Sequence, residues 1–339
     1  MQDLSFSATL QEADQAIEGL CDIYAGVVGP LLPRDQPYAL VDFPDHSNIG
    51  DSAIWAGEMA YFQRSGAGRP SYVSSYKHNL DELERYAPEG PVFIHGGGNF
   101  GDIWPRHQDY RIRLLERLKG RTIIQLPQSI HFDDVALRDA TARAIAGHGD
   151  FTLLVRDQFS YDFATRHFDC VVQMCPDAAY NLKMLPAAEA QTPVISFLRG
   201  DRESVWGDAR EMLATYGPVV DWPETQVWTP RHRLARKLWS FGPERAAMAH
   251  RVRLYDEQAM MRVLAGVKAL SQAELIVSDR LHVHIIASLM GRRHLVLDNA
   301  YGKIARHVAA WGGNGLAQQI TTPERLEAAL RDNASRGQE

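Results

Sequence analysis

Residues His95-Gly96-Gly97-Gly98-Asn99-Phe100-Gly101-Asp102 place three glycines and two polar side chains directly after the apolar run Pro91-Val92-Phe93-Ile94. A buried strand running into glycines allows a sharp turn. It also brings a ligand close to main-chain N–H groups, which suit an anion. Asn99 and Asp102 put polar groups at the mouth of that turn. A shorter version lies upstream, where Tyr38-Ala39-Leu40-Val41-Asp42-Phe43 leads into Ser47-Asn48-Ile49-Gly50-Asp51. Two strand-to-glycine units, each closed by Gly-Asp, predict one crevice lined by two loops. The competing reading is that the glycines serve turn geometry alone.

A second set of residues is cationic. Ser278-Asp279-Arg280-Leu281-His282 falls where an apolar run meets a helical pattern. In open parallel sheets, ligands collect at the carboxyl ends of strands. Arg280 offers a fork for carboxylate or phosphate, near a helix N-terminus that also favours an anion. His282 can transfer a proton near neutral pH. The bland alternative pairs Arg280 with Asp279 and bonds His282 to backbone. Arg199-Gly200-Asp201-Arg202 follows another apolar run, and Asp298-Asn299-Ala300-Tyr301-Gly302-Lys303 follows the next. Arg199, Arg202, Arg280 and Lys303 together would suit a small polyanion; a solvated basic loop is the alternative for Arg199, Arg202 and Lys303. His46, His95 and His131 stand singly, without metal-ligand spacing, so no metal is predicted.

Alternating strand and helix patterns must position these groups. Strands are expected at 38–43, 71–75, 91–95, 121–126 (closed by Pro127), 151–155 and 170–174. Helices are expected at 8–28, 51–63, 79–86, 107–118, 133–146 and 158–167. In the helix at 51–63, Ile54, Trp55, Met59 and Phe62 recur at helical spacing. This rhythm indicates a parallel, doubly wound sheet. Residues 185–193, rich in Pro and Ala, read as a linker that divides the chain into domains 1–185 and 186–339. Strands follow at 194–198, 274–277 and 294–297, with helices at 253–271, 283–290 and 322–333. The segment from Arg231 to Trp239 is basic and carries a Trp. It would rest on a membrane surface, grip an acidic glycan, or form a solvated helix face.

The 339 residues can bury a large core without disulfides or a structural metal. A net charge of −6 argues against nucleic acid as the main partner. Cys21, Cys170 and Cys175 give an odd count with no CxxC spacing, so buried thiols are expected rather than a disulfide framework. No segment approaches a membrane span, and Met1-Gln2-Asp3-Leu4 does not open a signal peptide, so a cytoplasmic protein is expected.

The motifs Asn48-Ile49-Gly50-Asp51, His95-Gly96-Gly97-Gly98-Asn99-Phe100-Gly101-Asp102, Ser278-Asp279-Arg280-Leu281-His282 and Asp298-Asn299-Ala300-Tyr301-Gly302-Lys303 occur in that order. With these motifs the chain resembles the polysaccharide pyruvyl transferase family, particularly the exopolysaccharide ketal-pyruvate transferases, over roughly residues 38–310. The resemblance implies an α/β fold of two Rossmann-like domains facing a cleft, similar to B-type glycosyltransferases. It implies phosphoenolpyruvate as donor, with no further cofactor, and a saccharide as acceptor. In bacteria that acceptor is often a lipid-linked oligosaccharide at the inner face of the cytoplasmic membrane. By the motif match, Arg280, Leu281 and His282 form the donor-binding element. An arginine after the first strand of the second domain joins them; Arg199 fits best, with Arg202 in reserve. The glycine segments, through Asn48, Gly50, Asp51, Gly96, Gly97, Gly98 and Asn99, would face the acceptor.

The chemistry implied is protonation of the enol methylene, attack by one sugar hydroxyl, loss of phosphate and closure of a cyclic ketal by a second hydroxyl. His282 is the first choice for the acid, and Asp51 or Asp102 for the base, although these roles can be exchanged. Two other readings stay open: a nucleotide-sugar-dependent glycosyltransferase of the same architecture, and a non-catalytic glycan-binding subunit. A dinucleotide-dependent oxidoreductase is disfavoured, because the glycine segment does not spell GxGxxG.

Overall fold

Seven short strands build the first sheet: β1 (Ala39–Val41), β2 (Tyr72–Val73), β3 (Val92–Ile94), β4 (Gly97–Gly101), β5 (Ile123–His131), β6 (Phe151–Val155) and β7 (Val171–Met174). They are seen in a computed structural model that describes residues 9–33, 35–200, 205–223, 244–298, 302–313 and 315–336. The order is β2-β1-β3-β5-β6-β7, with β4 also on β5, and every pairing is parallel. Parallel strands with helices on both faces are buried on both sides, which is why β1 and β3 read as unbroken apolar runs.

Between the strands lie α2 (Ile49–Arg64), α3 (Leu80–Tyr86), α4 (Pro105–Arg117), α5 (Val135–His148) and α6 (Gln158–His167), preceded by α1 (Leu10–Val28). Short polar residues start four of them. The side chains of Asn48, Asn79, Asp134 and Asp157 accept from the first N–H groups of α2, α3, α5 and α6.

The second sheet holds β8 (Thr192–Phe197), β9 (Val219–Val220), β10 (Ala273–Ser278), β11 (Arg293–Leu297) and β12 (Ala317–Ile320), in the order β12-β11-β10-β8-β9, again all parallel. The remaining helices are α7 (Arg210–Ala214), α8 (Glu244–Leu270), α9 (Leu281–Leu289), α10 (Lys303–Trp311) and α11 (Pro323–Arg336). Val194, Leu213, Leu275, Val277, Leu295 and Leu330 sit in its core.

The chain thus has an α/β architecture with two parallel sheets. It divides into two compact units. One comprises Cys21–Asn181 and Gln226–Met261 and holds β1–β7; the other comprises Met1–Leu20, Leu182–Thr225 and Arg262–Glu339 and holds β8–β12. That division groups 1–20 with the second half and 226–261 with the first, which a single boundary at 185/186 would not.

Two local expectations are corrected. Pro127 does not close β5, which runs on to His131. Its pairing with β6 shifts register between Gln125 and Gln128, and an irregularity of this kind admits a proline inside a sheet. The glycines after β3 do not form an open loop: Gly97–Gly101 is β4, laid along β5. Gly101 makes this contact feasible, because at φ 129° a Cβ would stand 1.7 Å from the His131 carbonyl oxygen. The cysteines are free thiols, with Cys175 buried and Cys170 half-buried.

Candidate functional site

Each sheet reverses strand order once, and chemistry-bearing residues gather at both reversals. In the first sheet the reversal lies between β1 and β3, where Asp42 and His95 emerge at the carboxyl ends. Asp42 is buried and has φ 69°, a left-handed conformation that only surrounding contacts can hold. His107 Nδ1 donates to Asp42 Oδ1 at 2.8 Å, and Asn99 Nδ2 to Asp42 Oδ2 at 3.3 Å. Asn99 Oδ1 accepts from Arg111 Nη2 at 3.0 Å and Gln128 Nε2 at 2.9 Å. Arg111 is fully buried and also donates to Gln125 and Gln108, each at 2.6 Å. Burial draws its pKa down to about 10, against the pull of Asp42.

His95 and Glu58 form a second buried pair. Glu58 Oε2 meets His95 Nδ1 at 2.8 Å, and Glu58 Oε1 accepts from Gly96 N at 2.8 Å. Burial opposes charge on His95. The Glu58 carboxylate, with Asp51 and Asp42 nearby, outweighs it and raises the ring's pKa. Glu58 is also raised, chiefly by burial. The Nε2 atom of His95 is buried without a hydrogen-bond partner.

The two glycine segments come together here. Asp51 Oδ1 lies 3.6 Å from where a Gly97 Cβ would stand, and Arg156 Nη2 lies 3.4 Å from the equivalent point on Gly98. Arg156 is buried and pairs with Asp177, and its Nε donates to Ser129 at 3.0 Å. Asp51 is partly exposed in the first turn of α2, with His46 Nε2 at 3.5 Å.

The main-chain N–H groups expected to await an anion are partly taken. Gly96 N donates to Glu58, Asn99 N to Gln128 Oε1 at 3.2 Å and Gly101 N to Gln108 Oε1 at 3.1 Å. Asn48 caps α2 by accepting from Gly50 N at 2.8 Å, with Gly50 buried in the first turn. Asp102 Oδ2 accepts from Asp133 N and Asp134 N, both at 2.5 Å, and so anchors the entry to α5.

In the second sheet the reversal lies between β8 and β10, where Arg199 and Arg280 emerge. Arg280 is the N-cap residue of α9, with Leu281 buried and His282 half-buried in the first turn and His282 Nε2 shielded from solvent. Arg280 does not take Asp279 as its hydrogen-bond partner. It pairs with Asp221, at the end of β9, at 2.6 Å. Asp279 is fully buried, and its Oδ1 accepts from Arg199 N at 2.9 Å, which ties β10 to β8. Burial raises its pKa, against Arg199 and Arg280. Lys303 opens α10, whose Ile304 N donates to Asp298 Oδ1 at 3.2 Å. Arg202, residues 299–301 and the segment from Arg231 to Trp239 lie outside the described residues.

Behind α9 lies a buried histidine chain. His294 Nδ1 is 2.8 Å from the Arg292 carbonyl, which can only accept, so this nitrogen carries the hydrogen. His294 Nε2 is then an acceptor for His284 Nδ1–H at 2.7 Å. Burial pulls His294 down to about 4. Burial first, then His294, His307 and His282, pull His284 well below its ordinary value. Both rings are neutral at pH 7.

Sequence reasoning passed over Glu58, although a signal was present. It falls on the same helical face as Ile54, Trp55 and Phe62, where a charge needs a buried partner. Gln125 and Gln128, polar inside an apolar strand, carried the same message. Nothing local marked Arg111, Arg156 or Asp221, whose partners lie distant in sequence.

Two parallel α/β sheets with ionisable residues at their order reversals define an enzyme-like ligand-binding class. The family model for polysaccharide pyruvyl transferase matches residues 48–301. The chain belongs to that family. It is 26% identical over 326 residues to a protein of Bacillus subtilis (strain 168) provisionally named pyruvyl transferase EpsO, covering 93% of this chain and 97% of that one. It is 29% identical over 295 residues to Pyruvyl transferase 1 of Schizosaccharomyces pombe, covering 80% of this chain and 69% of that one. A solved structure of a functionally uncharacterised protein from Klebsiella pneumoniae subsp. pneumoniae shares the fold, with a TM-score of 0.59 at 16% identity. That match covers 93% of this chain and 100% of the other. Among the described residues no helix is long and apolar enough to cross a membrane, and no group of three His, Cys, Asp or Glu side chains could hold a metal ion.

Proposed function

We propose that this transferase moves the pyruvyl group of phosphoenolpyruvate onto two hydroxyls of a saccharide, forming a cyclic pyruvate ketal. The observation that carries this reading is the pair of arginines at the order reversal of the second sheet. Arg199 and Arg280 emerge from adjacent strand ends there, beside the first turn of α9. A donor with a carboxylate and a phosphate calls for two guanidinium groups and a helix N-terminus. Lys303, at the start of α10, adds a third positive charge on this unit. The acceptor side is assigned to the order reversal of the first sheet, through Asp51, Gly96, Gly97, Gly98 and Asn99.

The step balances as follows. An acid, His282 in this reading, protonates C3 of the enol and leaves a cation at C2. A sugar hydroxyl attacks C2 as a carboxylate takes its proton. Asp51 suits that role better than Asp102, one of whose oxygens already accepts from two main-chain N–H groups. Phosphate departs with the electrons of its C2–O bond and takes up a proton. The second hydroxyl adds to C2, loses its proton and closes the ketal. A lipid-linked saccharide at the inner membrane face is the acceptor class that fits a polysaccharide pathway.

The test is turnover. Purified protein is incubated with phosphoenolpyruvate and a panel of lipid-like or nitrophenyl hexosides. Products are read by mass spectrometry for a gain of pyruvic acid less water, and the solution is assayed for released phosphate. Formation of both supports the reading. Binding of UDP or GDP, with no reaction from phosphoenolpyruvate, would replace it with a nucleotide-sugar glycosyltransferase.

A further inference from the structure

Three neighbouring strand ends converge on one carboxylate. Asp221 directly follows β9, Gly200 follows β8, and Arg280 follows β10. Arg280 Nη2 donates to Asp221 Oδ1 at 2.6 Å and to Oδ2 at 2.7 Å, and Gly200 N donates to Oδ2 at 3.3 Å. A guanidinium together with a main-chain N–H, at the carboxyl edge of a parallel sheet, is the donor set that a bound carboxylate or phosphate takes. We propose that Asp221 is an internal, displaceable occupant of the donor subsite. Its carboxylate fills the place of the donor's own anionic group, and the need to expel it sets donor affinity and selectivity. This rests on the donor reading given above.

Two observations mark the carboxylate as a replaceable stand-in. Both of its contacts with Arg280 fall on one nitrogen, and Arg280 Nε is buried with no partner. A ligand presenting two oxygens to the whole fork would satisfy that nitrogen as well. Exposure differs across the pair, too. The Asp221 side chain is 40% exposed and that of Arg280 15%, so the acid can swing into solvent while the arginine stays. Breaking such a partly exposed pair costs little. Selectivity follows. An anion with a single carboxylate exchanges like for like and gains nothing. One with a carboxylate and a phosphate brings a second charged group and displaces Asp221.

The experiment is calorimetric titration of the full chain with phosphoenolpyruvate, inorganic phosphate and pyruvate in turn, for the wild type, D221N, D221S and R280Q. The Asn variant keeps an acceptor for Trp222 N, which donates to Asp221 Oδ1 at 2.7 Å, so the turn after β9 persists. The expected result is phosphoenolpyruvate binding three- to tenfold tighter in both Asp221 variants, about 1 kcal/mol. Inorganic phosphate binding should be gained in those variants and absent from the wild type. Unchanged or weaker phosphoenolpyruvate binding in both, with the wild type binding normally, would overturn the proposal and make Asp221 a residue that merely orients Arg280. No binding by the wild type or the Asp221 variants would instead overturn the donor reading, and this proposal with it. Binding undiminished by R280Q would do the same.

Discussion

Mild acid should destabilise the β8–β12 unit through the His284–His294 chain. Unfolded histidines titrate near 6.5, whereas burial holds His294 at about 4 in the folded protein. Between those values the unfolded chain binds more protons than the folded one. Stability is therefore complete above pH 6.5 and is lost as pH falls toward the folded value. At pH 5 the His294 ring alone costs about 2 kcal/mol, from roughly one and a half units at about 1.4 kcal/mol each. His284 is shifted the same way by burial and by His294, His307 and His282, so it adds to the loss. A domain stable by about 5–15 kcal/mol feels a change of that size. Urea unfolding between pH 7.5 and 5, followed by tryptophan fluorescence, measures it. The substitution His294→Gln keeps a donor for the Arg292 carbonyl and an acceptor for His284 Nδ1–H while removing one titrating ring. The pH slope between 6.5 and 5 should fall by about 2 kcal/mol over that span. A pH slope left unchanged by the substitution would refute the reasoning; the wild-type slope alone does not decide it, because His95, Glu58 and Asp279, all shifted upward, act with the opposite sign.

Other perturbations test other parts of the argument. Glu58→Ala leaves His95 Nδ1 and Gly96 N without their 2.8 Å partner, and should cost about 3–5 kcal/mol in urea unfolding. Glu58→Gln should cost clearly less, since the amide oxygen can still accept from Gly96; equal losses would mean that volume, not hydrogen bonding, matters there. Gly101→Ala should fail to give stable protein, because a Cβ at φ 129° meets the His131 carbonyl at 1.7 Å. Wild-type yield and melting temperature would contradict that strand pairing. His282→Ala should abolish pyruvyl turnover and leave phosphoenolpyruvate binding measurable by calorimetry, and full turnover would remove His282 from the mechanism.

Much of the fold was legible because parallel strands buried on both faces leave plain marks. Runs such as Val92-Phe93-Ile94 and Phe151-Thr152-Leu153-Leu154-Val155 are apolar, and the helices between them open on Asn or Asp caps. The errors have physical causes. β4 reads as a loop from its glycines, yet Gly101 is what allows its backbone to approach β5. Pro127 reads as a stop, yet a register shift absorbs it. Lys303–Trp311 follows a glycine-bearing turn and passed unread as a helix. The candidate site was legible as residue types at strand ends. Its wiring was not, since Arg111–Asn99, Arg156–Asp177 and Arg280–Asp221 join residues brought together only by the sheet.

The hydrogen-bond donors left at each reversal bear on which ligand each unit takes. The first sheet gathers Asp42, Asp51 and Glu58 around the glycines, and Gly96, Asn99 and Gly101 already spend their N–H groups on protein side chains. Those carboxylates are themselves partnered, Asp42 with His107 and Glu58 with His95, and Arg156 and Arg111 flank the glycines, so what limits an anion there is the number of main-chain donors already in use. A neutral sugar hydroxyl needs no such donors, and a nearby carboxylate can accept its proton. The second sheet places Arg199 and Arg280 at the reversal with Asp221 and Asp279 among them, and the rings of His284 and His294 behind it. An anion is better served at the second reversal, where Arg280 Nε has no partner, and a hydroxyl at the first, where Asp51 is partly exposed and can accept its proton. The same count of donors disfavours the glycine segments as an anion cradle, the role their composition first suggests.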